Sequence, residues 1–123
     1  MKRVIIYSPD FSLCYSLLAY LQNHYKLVVT TDYKLLESFN FDNKNDAVFI
    51  DHEPNNQLFL TCEKIKIKNP DIPIFLTYVY TKRTSQTESR LKSYVSEIFY
   101  KPFDLNEISL KLTEILEQSA LTK

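Results

Sequence analysis

Asp51, Thr77 and Lys101 each close a short apolar run: DAVFID over 46–51, IPIFLT over 72–77 and EIFYKP over 97–102. A carboxylate, a hydroxyl and an ammonium held together can bind a phosphoryl group, and the carboxylate can carry it as an acyl phosphate after nucleophilic attack. The three meet only if the runs are parallel strands of one sheet, because all three polar residues then fall at the same edge. The first apolar run, VIIY over 4–7, should reach that edge too, and it is followed by Ser8 and Pro9.

The elements that must position these residues are legible as periodicity. Apolar runs at 4–7, 26–29, 47–50, 74–77 and 97–100 are nearly continuous and rich in Val, Ile, Phe and Tyr. Such runs suit parallel strands covered on both faces. Between them lie stripes at helical spacing: Cys14, Leu17, Leu18 and Leu21; Leu35, Leu36 and Phe39; Leu58, Cys62 and Ile65; Leu105, Ile108, Leu112 and Ile115. Asp104 with Glu107 fits a capping pattern for the last helix, and Asn69-Pro70 ends the third. Segment 81–93 has Leu91 as its one strong apolar residue, so the fourth helix is expected to be short or loosely held. Alternating strands and helices predict an α/β fold. The architecture expected is a flavodoxin-like (βα)5 three-layer sandwich, its parallel five-stranded sheet in the order 2-1-3-4-5 and its site at the carboxyl ends of the strands.

Size and composition narrow the function. The 123 residues predict one domain over 1–123. Lys plus Arg and Asp plus Glu balance at 15 each, so there is no basic surplus for nucleic acid. The N-terminal apolar run is too short for a signal peptide and nothing approaches transmembrane length, so no membrane association is expected. Cys14 and Cys62 fall within helical patterns and read as buried, reduced thiols of a cytoplasmic protein.

Glycine is absent, which excludes phosphate-cradling P-loops and dinucleotide fingerprints. Positions needing positive φ should then fall to Asn and Asp. A thiol that handles phosphate needs an arginine or an anion-binding loop. The segment SPDFSLCYSLLAY around Cys14 has neither, and no enzyme is expected. His24 and His52 lack acidic or thiol company at metal-ligand spacing and read as loop residues.

Taken together, DAVFID, IPIFLT and YKPF in this order resemble the receiver domains of bacterial response regulators, over essentially the whole chain. The resemblance implies that Asp51 is the phosphoacceptor, taking its phosphoryl group from a histidine kinase or a small acyl phosphate. It implies that Thr77 hydrogen-bonds the phosphoryl group and reports it to the fourth strand and helix, that Lys101 pairs with it, and that the bond to Pro102 is cis. The implied partners are proteins: a histidine kinase, an output or effector protein, or a second copy. The implied contact face is the fourth helix, fifth strand and fifth helix.

The chain also departs from that pattern. Receiver domains place two acids directly after the first strand, which bind Mg2+ with the phosphoacceptor; Ser8 and Pro9 stand there. Mg2+ wants hard oxygen ligands, and phosphoryl transfer relies on it to neutralise charge. Asp10 can swing back as a ligand or cap the first helix. Glu53 can supply an acid, so the candidate metal set is Asp10, Asp51 and Glu53. Ser8 can act as a cap or as a hydrogen-bond partner of Asp51. Tyr78 replaces the small residue after Thr77, where its ring can cover Asp51. Ile98 occupies the place of the switch aromatic, with Phe99 and Tyr100 close by.

The alternatives are therefore specific. Asp51 and Lys101 are either a phosphoryl site or a structural ion pair, and Thr77 is either a phosphoryl ligand or a strand-end hydroxyl bonded to backbone. Tyr7, Tyr78, Tyr80 and Tyr100 form either packing or an aromatic contact surface. The reading reached is an atypical receiver acting through protein contacts, with weak or no Mg2+-dependent phosphorylation and no cofactor. The alternative is a working phosphorelay receiver in which Asp10 or Glu53 replaces the missing acid.

Overall fold

The computed structural model describes residues 2–82 and 84–121, with side chains as far as 117. Its strands are β1 (Arg3–Tyr7), β2 (Lys26–Thr30), β3 (Asp46–Asp51), β4 (Ile74–Val79) and β5 (Glu97–Lys101). Its helices are α1 (Phe11–Leu21), α2 (Tyr33–Ser38), α3 (Asn56–Lys68), α4 (Ser85–Leu91) and α5 (Leu105–Leu121). All strand pairs are parallel and the order is β2-β1-β3-β4-β5. This is the flavodoxin-like arrangement expected from the apolar runs.

Continuity of the runs follows from the two layers of helices. Alternate residues of β1 point to opposite faces: Val4 and Ile6 join a core with Leu17, Leu21, Ile108 and Leu112. Ile5 and Tyr7 join the other, with Leu36, Leu58, Cys62 and Ile65. Each of these β1 residues thus finds apolar partners whichever way it points. At the amino edge, Arg3 grips Asp46 with two hydrogen bonds of 2.7 and 2.6 Å, from Nε and Nη2. That buried fork is the geometry in which a guanidinium binds a carboxylate best.

Three expectations are corrected. Leu18 is 38% exposed and Leu35 is exposed, so neither belongs to a buried stripe. β2 is an edge strand with partly exposed residues throughout, and it leaves the flanks of α1 and α2 incompletely covered. Phe39 lies just beyond α2 as its C-cap. Finally, Asn and Asp do not take left-handed positions: among the described residues none has positive φ. The turns close by side-chain acceptors instead. Asp42 Oδ1 accepts from the amides of Lys44 and Asn45, Asp32 caps α2 and Asn55 caps α3.

The fourth helix is indeed short, seven residues anchored by buried Glu88 and Leu91. On α1, by contrast, Phe11 and Tyr15 stand out into solvent. Among the described residues no helix is long and apolar enough to cross a membrane.

Candidate functional site

Parallel pairing sets Asp51 directly beside Thr77 in register, and Val79 beside Lys101. The carboxyl edge thus brings Asp51 and Lys101 together across β4. Lys101 Nζ donates to Asp51 Oδ1 at 2.7 Å. On the other side, Ser8 Oγ donates to Asp51 Oδ2 at 2.6 Å, and Ser8 itself accepts from the amide of Asp10 at 3.0 Å. Ser8 is fully buried and Asp51 is 4% exposed, whereas the Lys101 side chain is 30% exposed. Both carboxylate oxygens therefore have a charged or hydroxyl donor from the chain itself.

Thr77 does not join them. Its hydroxyl donates to the carbonyl of Phe99 at 2.7 Å, so it ties β4 to β5 and is wholly buried. The bond between Lys101 and Pro102 is cis, as the resemblance implied.

The candidate metal set is dispersed. Asp10 Oδ1 accepts from the amides of Ser12 and Leu13 at 2.9 and 3.3 Å, which makes it the N-cap of α1. Glu53 is exposed, and its carboxylate lies 4.0 Å from Lys82 Nζ. Among the described residues no group of three or more acidic, histidine or cysteine side chains could hold a metal ion. One buried, ion-paired carboxylate with a hydroxyl beside it is a poor match for Mg2+, which asks for several free oxygen ligands in octahedral array.

Above Asp51 lies a shallow cleft of about 380 Å3, bordered by Tyr7, Pro9, His52, Tyr78 and Lys101 among others. Burial and the nearby Asp51 charge raise the Tyr7 phenol above its ordinary pKa. Burial likewise raises the Cys14 thiol, which lies 3.5 Å from the carbonyl of Ser8. Neither group is poised as a nucleophile or base.

The aromatic residues divide. Tyr7 packs edge-on against Tyr33, 5.1 Å between ring centres, and Tyr33 lies against His52. Tyr78 is buried edge-on to Tyr100, which also meets Tyr80 at 5.1 Å. Tyr100 shares the face of Ile98 on β5, since the two are separated by one residue. Its hydroxyl donates to the carboxylate of Glu88, which joins β5 to α4. Sequence reasoning missed Glu88. The signal was its spacing of three from Leu91, which puts both on the inner face of α4.

No protein-family profile and no curated protein matches this chain. Solved structures do. A CheY-like response regulator receiver domain protein from Methanospirillum hungatei JF-1 is 16% identical, with 100% of this chain and 99% of that one covered and a TM-score of 0.80. A response regulator from Colwellia psychrerythraea is 15% identical over 95% and 98% of the two chains, TM-score 0.76. The fold is that of receiver domains. A redox sensor of the streptococci, described as evolved from two-component response regulators, shares it at 14% identity and a TM-score of 0.81. There 99% of this chain matches 54% of the other. Within the receiver fold, the carboxyl edge of the sheet is where Asp51, Ser8 and Lys101 meet.

Proposed function

We propose that this chain is an atypical receiver module that signals through protein contacts, with little or no Mg2+-dependent phosphorylation of Asp51. The observation that carries this reading is the double engagement of Asp51, by Ser8 at 2.6 Å and Lys101 at 2.7 Å. A phosphoryl donor approaching this carboxylate must displace one of two donors. It meets Lys101 as its main counter-charge, and Ser8 and Pro9 add none. The module is not an enzyme and needs no cofactor. Its partners are a kinase or an output or effector protein, or a second copy bound through α4, β5 and α5. Leu110, exposed on α5, supports contact on that side. Two unpaired, buried thiols accord with a cytoplasmic setting.

A second reading, a phosphorelay receiver phosphorylated on Asp51, has the Asp51–Thr77 register and the Lys101 contact in its favour. An amide NMR titration separates the two, first with Mg2+ and then with beryllofluoride, with Asp51→Ala as control. Spectra unchanged at millimolar Mg2+ and beryllofluoride are expected. Shifts around Asp51, Thr77 and Lys101 that vanish in the control would establish the second reading instead.

A further inference from the structure

A second cavity, of about 410 Å3, shares no residue with the Asp51 cleft. It opens between α3 and the connection that follows α2, and its volume falls in the range of small-molecule sites. One wall is aromatic: Phe39 and Phe41 lie 5.0 Å apart between ring centres and are only partly buried. Leu60, 51% exposed, faces the same space from α3, with buried Ile65 behind it.

The polar lining is more specific. Lys64 and Lys68 stand one turn apart on α3, and among the described residues neither has a carboxylate within ion-pair distance. Like charges at this spacing oppose each other on a helix, and no ion pair among the described residues offsets the repulsion. Glu37 is the one acid in the lining, which leaves a surplus of one positive charge. Asn69 is 8% exposed, and its Nδ2 donates to the carbonyl of Ile65 at 3.2 Å. Its Oδ1 makes no hydrogen bond among the described residues and is open to solvent where Asn69 lines the cavity.

We propose that this cavity binds a small aromatic carboxylic acid bearing an N–H or O–H donor. The ring lies against Phe39, Phe41 and Leu60, the carboxylate meets Lys64 and Lys68, and the donor reaches Asn69 Oδ1. Each part of such a ligand matches one feature of the lining: exposed apolar surface, positive charge without an ion-pair partner among the described residues, and a solvent-facing acceptor. For a ligand of this size, affinity on the order of a millimolar or tighter is expected.

Indole-3-carboxylate combines the three features and serves as the probe. Titrated into the full chain and followed by amide NMR, it should give saturable shifts confined to residues 37–41 and 57–69. Lys64 and Lys68 are exposed, so a K64Q/K68Q variant keeps the fold, which its own amide spectrum verifies. It should bind about tenfold more weakly, by loss of two charge-assisted contacts worth together about 1.4 kcal/mol. Indole-3-methanol, which lacks the charge, should lose a similar factor against the native chain, and 2-naphthoate, which lacks the donor, a smaller one. Unsaturable shifts, shifts centred on Phe11 and Tyr15 of α1, or equal affinity for the native chain and the double variant would overturn the assignment.

Discussion

Ser8 Oγ lies 2.6 Å from Asp51 Oδ2, wholly inside the protein and on the opposite side of the carboxylate from Lys101. The hydroxyl stands where a second acid would share a cation with Asp51. It satisfies one carboxylate oxygen with a hydrogen bond. On the proposed reading, the position of Ser8 is the point at which this site differs from a metal-binding one.

Ser8→Asp reverses that difference. Two carboxylates in one buried site repel unless a cation or proton intervenes. In chelator at neutral pH the variant should be less stable than the native chain, by about 1–3 kcal/mol. Mg2+ should restore part of the loss, about 1.4 kcal/mol at ten times its Kd. Thermal melts with and without Mg2+ measure this. The native chain should melt at the same temperature in both, and a native melting point that rises with Mg2+ would contradict the proposed metal independence.

Lys101 and Asp51 are coupled, and a double-mutant cycle measures by how much. Lys101→Met leaves a buried carboxylate with Ser8 alone, a change that costs about 3–5 kcal/mol for fully buried pairs. Lys101 keeps 30% of its side chain in water, so solvent screening reduces the expected loss to about 1–3 kcal/mol. Asp51→Asn should cost less, because the amide oxygen still accepts from Ser8. Urea unfolding of the two single variants and the double should return a coupling energy of about 1–2 kcal/mol. A coupling within error of zero would make the 2.7 Å contact energetically idle.

The strands were legible because each run is covered on both faces and so contains little but apolar residues. Asp51 and Lys101 stood out because each ends such a run at the same edge. For Thr77 two readings stayed open, since adjacency in register says nothing of where a hydroxyl turns. Here the hydroxyl donates to the Phe99 carbonyl, 2.7 Å away. Leu18 misled because an apolar stripe on a helix beside an edge strand can be wider than the sheet beneath it. The absence of glycine pointed to left-handed Asn and Asp. Those residues act through their side-chain oxygens instead, closing turns at negative φ. Glu88 and Asn69 were hidden for a common reason: both lie in segments whose polar composition reads as surface, and tertiary packing buries them.

Cys62 makes stability depend on alkaline pH. Burial pushes its thiol from 9.0 to about 12. The folded chain thus holds a proton that the unfolded chain releases above about pH 9. The contribution is fully present below that pH and declines as pH rises toward 12, at about 1.4 kcal/mol per unit. Tyr33, raised by burial to about 12, acts in the same sense, and Lys66, lowered by burial, acts in the opposite one. Urea midpoints between pH 8 and pH 10 should therefore fall less in Cys62→Ala than in the native chain. The difference between their slopes should average about half a proton over this range, and parallel slopes would show that the thiol does not set the decline. In the native state at pH 8, Cys62 should also resist iodoacetamide.

Tyr100 and Glu88 decide how firmly α4 is held. Seven residues are too few for a helix to persist without tertiary contacts. The anchors of α4 are the burial of Leu91, the guanidinium of Arg90 3.8 Å above the ring of Phe59, and the bond from Tyr100 to Glu88. Lys92, 3.6 Å from the same carboxylate, is exposed and adds little. Of these anchors, the phenol–carboxylate bond is the hydrogen bond that links α4 to the strand that carries Lys101. Tyr100→Phe removes that bond and keeps the ring. Hydrogen bonds to charged groups contribute about 1.5–3 kcal/mol, so amide exchange in residues 88–92 should accelerate roughly 10- to 100-fold. Exchange in β1 and β3 should change far less, because local opening of α4 withdraws Leu91 from one core and leaves the pairing of those strands in place. Uniform acceleration across the sheet would show instead that α4 opens only with the whole fold, and that Tyr100 has no separate hold on it.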